Sequence, residues 1–484
     1  MAGLALAGLA LARFAVGAWL VVGIWLASSG VVMADQPNIL IILSDDHGAR
    51  DIGAYGNQRI RTPHLDALAA QGMRFDSAFA TEAICTPSRT SLYTGLYPLR
   101  HGAHRNHTEV YEGVRSMPHY FSSLGYRVAL AGKTHFGPMS AFPFEMLPRG
   151  EGDTVVKSHQ QAMAELFDDP AAFLLVVATS LPHSDSRSGG GYPRPENYQP
   201  ADVELPGYLL DTWETRQARA GYYELVSRLD DDVGRVMGLL ARSNAAGNTL
   251  VIYVSDHGSG FPYEKWTNYD AGIRVPLLVR WPGKVEEKSS SNALISLVDI
   301  LPTLLEAAGG DAPADLDGRS FLGVLEGESE AHLPYIFATH TTLGIRNSGD
   351  AFAQRTIRSD RFKYILNLNP QGRFTNNVTE QGQGGWYSWL ELAKTDNRAG
   401  ERVALYQKRP AEEFYDLEKD PHELLNLAAS KGHQALAAKH RVKLEQWRKQ
   451  QGDQGLAHPY TGQNLFELWW HEMRQRWNLL WSRV

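Results

Sequence analysis

Two apolar runs of the sequence end in residues that bind cations well. The run NILIILSDDHG ends with Asp45 and Asp46, and the run TLVIYVSDHG ends with Asp256 and His257. Such runs are typical of central strands in a mostly parallel sheet, and ligands collect beyond the carboxyl ends of these strands. Each acid alone could instead cap a following helix. Three carboxylates at two matching strand ends favour a bound cation, because without one they would repel each other.

Cys85, the only cysteine of the chain, lies in the stretch EAICTPSRTSLYTG. Thr86 is a suitable helix N-cap, Pro87 suits the first helical position and Gly95 can end the helix. Cys85 would then lie at the positive end of a helix dipole, where anions bind. A thiolate nucleophile there would need a histidine base, and soft sulfur is a poor ligand for a hard cation. A buried structural cysteine is the alternative.

Strands and helices alternate along the first two thirds of the chain. Two more apolar runs, YRVALAG and AFLLVVATSLPH, lie between the two that end in acids. Helical patterns occur at residues 62–72, 116–125 and 221–243. This alternation predicts a doubly wound α/β domain with a mostly parallel sheet flanked by helices.

The character of the sequence changes near residue 330. The stretch TIRSDRFKYILN (356–367) alternates polar and apolar residues like one antiparallel strand. We therefore predict three parts: a signal or anchor segment over residues 1–34, a catalytic domain over 35–329, and a smaller C-terminal α+β subdomain with an antiparallel sheet over 330–484.

Residues 1–34 are apolar, with Arg13 as their one charged side chain, and end in Val32-Met33-Ala34. This pattern predicts a secretory signal with a small-residue cleavage site, and therefore an exported protein, periplasmic or secreted. The long apolar part leaves an uncleaved membrane anchor as the alternative. An exported chain with one cysteine forms no internal disulfide.

The composition is that of a large globular protein. Hydrophobic residues make up 43% of the 484 residues and charged residues 21%, which allows a sizeable core and argues against global disorder. Lys and Arg number 47 against 54 Asp and Glu, for a net charge of -7. Mild acidity without a basic run argues against nucleic acid as a partner.

The stretch CTPSR resembles the Cys-x-Pro-Ser-Arg signature of type I sulfatases, a family of the alkaline phosphatase superfamily. GYRVALAGKTH resembles the second signature of that family, and KWTNYDAGIRVPLLVRWPG resembles its lysine-containing stretch. The resemblance runs from PNILIILSDDHG to DPHELLNLA. It implies an alkaline-phosphatase-like fold and a sulfuric ester hydrolase in which a maturation enzyme oxidises Cys85 to Cα-formylglycine. The hydrated aldehyde would attack sulfur, and its second hydroxyl would let sulfate leave.

The resemblance also implies a role for each site residue. The ligands of one divalent cation, Ca2+ in preference to Mg2+, would be Asp45, Asp46, Cys85, Asp256 and His257. Arg89 would hold the formylglycine hydroxyl, and Lys133 and Lys265 would bind sulfate oxygens. His135 would assist residue 85, and His183 would be the general acid toward the leaving group.

Several stretches resemble the sulfamidase (heparan N-sulfatase) branch of the family. GKTHFGPMSAFPFE and SDHGSGFPYEKWTNYD follow that branch's pattern, although the branch has Arg near Lys265 and Asn in place of His257. The choice between a sulfate ester and a sulfamate on a sulfated carbohydrate therefore stays open. The stretch HGAHRNHTEVYEG (101–113) either binds an acidic sugar or forms an exposed polar loop.

Two other functions also stay open. Related formylglycine enzymes hydrolyse phosphonate monoesters or phosphodiesters, and phosphate has the same tetrahedral shape as sulfate. The non-enzymatic alternative is a glycan-binding protein whose Cys85 is never converted, against which the complete set of metal ligands argues.

We predict that the peptide containing residue 85 carries an aldehyde in protein purified from the native host. Mass spectrometry of a proteolytic digest measures this directly, and protein made without a maturation enzyme is the unconverted control. An unmodified thiol in the native protein would refute the formylglycine mechanism.

Overall fold

The computed structural model describes residues 36–184, 191–345, 348 and 351–458. The strands in these ranges are β1 (Asn38–Ser44), β2 (Met73–Phe79), β3 (Arg127–Gly132), β4 (Glu145–Met146), β5 (Phe173–Ala178), β6 (Thr249–Ser255), β7 (Arg274–Arg280), β8 (Ser289–Ser291), β9 (Ile295–Ser296), β10 (Ile336–Thr341), β11 (Ala353–Arg358), β12 (Phe362–Asn367) and β13 (Glu412–Asp416). The α-helices are α1 (Pro63–Ala70), α2 (Cys85–Thr94), α3 (Pro98–His101), α4 (Met117–Ser123), α5 (Val155–Phe167), α6 (Trp213–Ala241), α7 (Asp270–Ile273), α8 (Ile300–Ala307), α9 (Leu322–Leu325), α10 (Asn377–Gln381), α11 (Trp386–Leu392), α12 (Asn397–Gln407) and α13 (Gln434–Gln450). The predicted signal or anchor segment, residues 1–34, lies outside the described residues. Among the described residues, no helix combines the length and the apolar character needed to cross a bilayer.

One sheet of nine strands organises the first part of the chain. Its order is β4-β3-β5-β1-β6-β7-β2-β8, and β9 also pairs with β2. β1 lies between β5 and β6 and runs parallel to both, and β3 and β4 continue the parallel run. β7 is antiparallel to both of its neighbours, β6 and β2. The sheet is therefore mostly parallel, and the predicted α/β fold is confirmed.

Helices cover both faces of this sheet, as alternation along β1 demonstrates. Ile39, Ile41 and Leu43 belong to a core cluster that also contains side chains of α4 and α8. Leu40 and Ile42 belong to a second cluster, which contains side chains of α1, α5 and α6. All five side chains are buried, because successive residues of a strand point to opposite faces and both faces are covered.

A second sheet lies in the C-terminal part, with the order β10-β11-β12-β13 and antiparallel pairing throughout. The predicted antiparallel sheet is thus present, but residues 356–367 do not form one strand. They belong to β11 and β12, which a tight turn joins at residues 359–361. Ser359 closes the turn, because its N–H donates to the carbonyl of Phe362 at 2.9 Å and its hydroxyl accepts from Phe362 N–H at 3.2 Å.

Helix α13 packs against the second sheet through an aromatic contact. The ring of Trp447 stacks on Phe337 with centroids 4.8 Å apart. The same ring meets Tyr97 edge to face at 5.1 Å. Trp447 therefore joins three separate parts of the chain: α13, strand β10, and the residue before α3.

We predict that Trp447→Ala lowers the free energy of unfolding by about 3–5 kcal/mol, because it removes a large buried aromatic side chain. Urea unfolding monitored by far-UV circular dichroism measures the loss. Val442→Ala, on the same helix but exposed, is the matched control and should change stability by less than about 0.5 kcal/mol. Equal effects of the two substitutions would contradict the packing role of Trp447.

Candidate active site

The register between β1 and β6 brings the predicted acidic residues together. Ser44 is opposite Ser255 in this parallel pair, and both strands end at these residues. Asp45 and Asp46 therefore emerge beside Asp256 at one edge of the sheet. The backbone N–H of Asp46 donates to Asp256 Oδ1 at 3.1 Å. Asp46 adopts a φ of 66°, a left-handed conformation that non-glycine residues adopt rarely and mostly at functional sites.

Helix α2 presents Cys85 at its first residue, and here the predicted cap is wrong. The residue before the helix is Ile84, whose carbonyl accepts from Ser88 N–H at 3.1 Å, so the helix starts at Cys85, two residues before the predicted Pro87. Thr86 lies inside the helix, and its hydroxyl accepts from His107 N–H at 3.1 Å. Gly95 ends the helix with a φ of 67°, as predicted.

Four of the five predicted metal ligands form one buried cluster. One donor atom each from Asp45, Asp46, Cys85 and His257 lies within 4.8 Å of the others. The Cys85 Sγ atom lies 3.3 Å from His257 Nε2 and 3.5 Å from Asp45 Oδ1. Asp256 is adjacent, with Oδ1 3.7 Å from His257 Nε2. Buried carboxylates with one imidazole suit a divalent cation, so this cluster is able to bind a metal.

Arg89 connects the ends of β1 and β6. Its Nε donates to Asp256 Oδ2 at 2.8 Å, and its Nη2 lies 3.4 Å from both Asp45 Oδ1 and the carbonyl of Ser44. The side chain is fully buried. Burial lowers its pKa, but Asp256 and Asp45 raise the value above the ordinary one, so the guanidinium stays charged.

Two lysines supply further positive charge next to the acids. Lys133 Nζ donates to Asp45 Oδ2 at 2.6 Å, and Lys265 Nζ donates to both carboxylate oxygens of Asp46 at 2.8 and 3.0 Å. Burial raises the pKa of each carboxyl, but Lys133 holds that of Asp45, and Lys265 that of Asp46, below the usual range. Both carboxylates are therefore ionised at neutral pH.

The same lysines determine the electrostatics at position 85. Lys265 Nζ lies 3.6 Å from Cys85 Sγ. Burial raises the pKa of the thiol, but Lys133 and Lys265 outweigh this effect and lower the pKa to about 6. The surroundings of residue 85 thus favour negative charge, as a site for an anionic reactant requires.

His183 lies at the entrance of the site. It follows the Leu181–Pro182 cis peptide bond, and its Nε2 is 3.9 Å from Asp46 Oδ2. Its side chain is 39% exposed, whereas Asp46 is buried. A cavity of about 600 Å³ is lined by His183 together with Lys133 and Asp45. This cavity gives a ligand access to the site from solvent.

His135 lies on the wall of the site, and burial together with Lys133 lowers its pKa well below the ordinary value, so the ring is neutral. Its Nε2 is 2.9 Å from His107 Nδ1. His107 belongs to the stretch 101–113, and its contact with His135 was not predicted from the sequence. The exposed-loop alternative for this stretch is wrong at His101, His104 and Asn106, because all three are buried.

Tyr222 is a second residue that sequence reasoning missed. Its hydroxyl donates to the carbonyl of Asp46 at 3.0 Å and accepts from Gly48 N–H at 3.4 Å. Tyr222 therefore supports the turn that carries both metal-ligand candidates after β1. No sequence signal distinguishes it from the other apolar and aromatic residues on the buried face of α6.

The family profile described as Sulfatase matches residues 37–310. This match spans more than half of the chain, so the protein belongs to the sulfatase family. A second profile, described as N-sulphoglucosamine sulphohydrolase, C-terminal, matches residues 257–374. The predicted class, a sulfuric ester hydrolase of the alkaline phosphatase superfamily, is confirmed.

Two relatives cover most of the chain. An ulvan-active sulfatase of Formosa agariphila is 34% identical over an alignment of 430 residues, which covers 87% of this chain and 82% of the relative. The N-sulphoglucosamine sulphohydrolase of Homo sapiens is 30% identical over 488 residues, with 89% of this chain and 93% of the relative covered. The chain is thus similar over nearly its whole length to an ulvan-active sulfatase and to an N-sulphoglucosamine sulphohydrolase.

Solved structures with lower identity share the fold. A putative sulfatase from Bacteroides thetaiotaomicron superposes with a TM-score of 0.67 at 22% identity, covering 87% of this chain and 93% of that chain. A phosphonate monoester hydrolase of Agrobacterium radiobacter has a TM-score of 0.63 at 22% identity, covering 87% and 97%. Fold alone therefore does not separate sulfur from phosphorus chemistry.

We predict that Asp45→Asn weakens binding of the divalent cation by at least about tenfold, because it removes one ligand charge and keeps the side-chain shape. Metal content after dialysis, measured by mass spectrometry of the metal, and turnover should both fall. Asp153→Asn is the control, since Asp153 lines the same cavity but is 62% exposed. Unchanged metal content in Asp45→Asn would show that the cluster is not the metal site.

Proposed function

We propose that this protein hydrolyses sulfate esters or sulfamates of a sulfated carbohydrate, with residue 85 converted to Cα-formylglycine by a maturation enzyme. One observation carries the proposal. The only cysteine of the chain is buried at the start of α2 and belongs to the cluster that is able to bind a metal, with Lys265 Nζ 3.6 Å from its sulfur. A cysteine that only filled space in the core would not require two lysines and several carboxylates next to it.

A divalent cation, Ca2+ in preference to Mg2+, fits the cluster. The candidate ligands Asp45, Asp46, Asp256 and His257 are all buried, so the protein itself supplies most of the coordination. Calcium accepts many oxygen ligands in irregular geometry, whereas magnesium usually retains several water molecules. The cation would act as a Lewis acid that stabilises negative charge on a reacting oxygen.

Residue 85 and the basic side chains divide the remaining work. A formylglycine at this position takes up water and so offers one hydroxyl as a nucleophile and a second one for release of sulfate. Lys133 and Lys265 lie where they can neutralise the sulfate oxygens, and as compact point charges they stabilise charge that develops there. Arg89 is committed to Asp256 and Asp45 and keeps these carboxylates in place.

His183 is suited to be the proton donor to the leaving group. It lies 3.9 Å from Asp46 yet is partly exposed in the cavity of about 600 Å³, between the buried cluster and solvent. A carbohydrate that enters this cavity would place its bridging oxygen or nitrogen next to the imidazole. A general acid contributes about 10²-fold to 10⁴-fold to such a reaction.

The substrate class rests on the two relatives. The N-sulphoglucosamine sulphohydrolase of Homo sapiens and the matching C-terminal profile favour N-sulfated glucosamine. The ulvan-active sulfatase, 34% identical, favours an ester on an acidic polysaccharide. Phosphonate monoester hydrolysis is the second candidate, because an enzyme of that name shares the fold.

The deciding experiment measures sulfate release by protein that has been co-expressed with a formylglycine-generating enzyme. N-sulfoglucosamine and 6-O-sulfated glucosamine are compared at equal concentration, and a phosphonate monoester serves as the phosphorus substrate. We expect release from at least one sulfated sugar, and its loss to background in Cys85→Ala with an unchanged fold.

Each outcome has a defined meaning. Release from the N-sulfated sugar alone assigns sulfamate hydrolysis and makes His183 a donor to nitrogen. Release from the ester alone assigns a different specificity from the sulfamidases. No release from either sugar, with residue 85 verified as an aldehyde and the phosphonate hydrolysed, would overturn the sulfatase proposal. Wild-type rates in Cys85→Ala would overturn covalent catalysis at residue 85.

A further inference from the structure

A continuous chain of hydrogen bonds leads from the start of α2 to His135. The backbone N–H of Thr86 donates to Asn106 Oδ1 at 3.5 Å. The amide nitrogen of Asn106 lies 3.0 Å from His107 Nε2. His107 Nδ1 in turn lies 2.9 Å from His135 Nε2. The chain thus starts at the residue after Cys85 and ends at an imidazole on the wall of the same site.

The identity of the donor atoms determines which group donates and which accepts in each of these hydrogen bonds. Because Asn106 Oδ1 accepts from Thr86, the group that faces His107 is the amide nitrogen, which only donates. His107 Nε2 must then be an acceptor, so the neutral ring carries its proton on Nδ1. That proton is donated to His135 Nε2, and the neutral His135 carries its own proton on Nδ1.

The N–H at the end of this series of hydrogen bonds, on His135 Nδ1, has no partner among the described residues. His135 Nδ1 is buried and makes no hydrogen bond there. A buried N–H without an acceptor destabilises a folded protein, so such a group calls for an explanation. An acceptor that arrives with the reactants would provide one.

The backbone is strained at His107 and at His135, so neighbouring contacts must hold both residues in place. His107 and His135 adopt φ values of 61° and 52°, in the left-handed region that favours glycine. Such conformations are strained and persist only where surrounding contacts hold them, and they cluster at functional sites. The bond from His107 N–H to Thr86 Oγ1, at 3.1 Å, is one such contact.

We propose that Asn106 and His107 are positioning residues that fix His135 as its Nδ1–H tautomer, which makes it a hydrogen-bond donor to an anionic oxygen in the reacting complex. This inference rests on the proposed sulfate hydrolysis for its consequence in catalysis. The tautomer itself is a property of the protein and is measurable without turnover.

A pair of nearly isosteric substitutions at His107 tests the direction of the chain. In His107→Asn the amide nitrogen takes the place of Nδ1, two bonds from Cβ, and still donates to His135. In His107→Asp an oxygen takes that place and accepts, which draws the proton of His135 to Nε2. We expect His107→Asn to keep kcat within a few-fold of the wild type. We expect His107→Asp to lose about 10²-fold to 10³-fold in kcat, the effect of removing a donor from a developing oxyanion.

A role in folding alone would not produce this contrast, because the two variants have the same shape and both remove the imidazole ring. Equal kcat losses in the Asn and Asp variants would therefore overturn the proposal. Asn106→Asp is a second variant of the same kind, since its carboxylate still accepts from Thr86 but no longer donates to His107. It should also lower kcat, and it keeps the test decisive if His107→Asp does not fold.

Nitrogen-15 spectra of histidine-labelled, metal-loaded protein give the tautomer directly. The His135 resonances, assigned by their loss in His135→Gln, should identify Nδ1 as protonated and Nε2 as unprotonated. His107→Asp should move the proton to Nε2. A wild-type ring protonated on Nε2 would refute the inference even if sulfate is released. The expected tautomer in a protein that releases no sulfate would instead refute the proposed function and leave the positioning role intact.

Discussion

The candidate active site depends on the balance of charge at the ends of β1 and β6. The register that sets Ser44 opposite Ser255 collects three aspartates in a buried space. Removing ionised groups from water costs several kcal/mol each unless partners of opposite charge lie close. Arg89 on α2, Lys133 after β3 and Lys265 between β6 and β7 supply these partners. Four distant segments of the chain must therefore come together before any of these charges is stable where it lies.

The features that local sequence determines could be predicted, and those that depend on distant contacts could not. The apolar runs before Asp45 and Asp256 identify buried strands, because a strand covered on both faces needs apolar residues at every position. The first residue of α2 lies two residues before the predicted Pro87, because the hydroxyl of Thr86 accepts from His107 N–H, twenty-one residues away, and does not cap the helix. The hairpin of β11 and β12 was missed because the alternation of polar and apolar residues continues across residues 359–361, where a backbone and a side-chain hydrogen bond of Ser359 close the turn.

The site residues illustrate the same limit. Sequence reasoning selected the members of the buried cluster, and the structure brings Asp45, Asp46, Cys85 and His257 within reach of one ion. It gave no means of pairing His135 with His107, because that contact requires the loop after α3 to return to the start of α2. The roles assigned to these residues in turnover stay predictions.

The antiparallel pairing of β7 with β6 has a consequence for how such a site changes over time. The parallel pairs of β1 with β5 and with β6 are joined through long stretches of chain, whereas the segment from Asp256 to Ile273 leaves and re-enters at the same edge of the sheet. His257 and Lys265, the two residues that the sequence comparison with the sulfamidase pattern singled out, lie on this short segment. Substitutions in this segment can therefore change the ligands and the charge at the candidate metal site without changing the order of the strands.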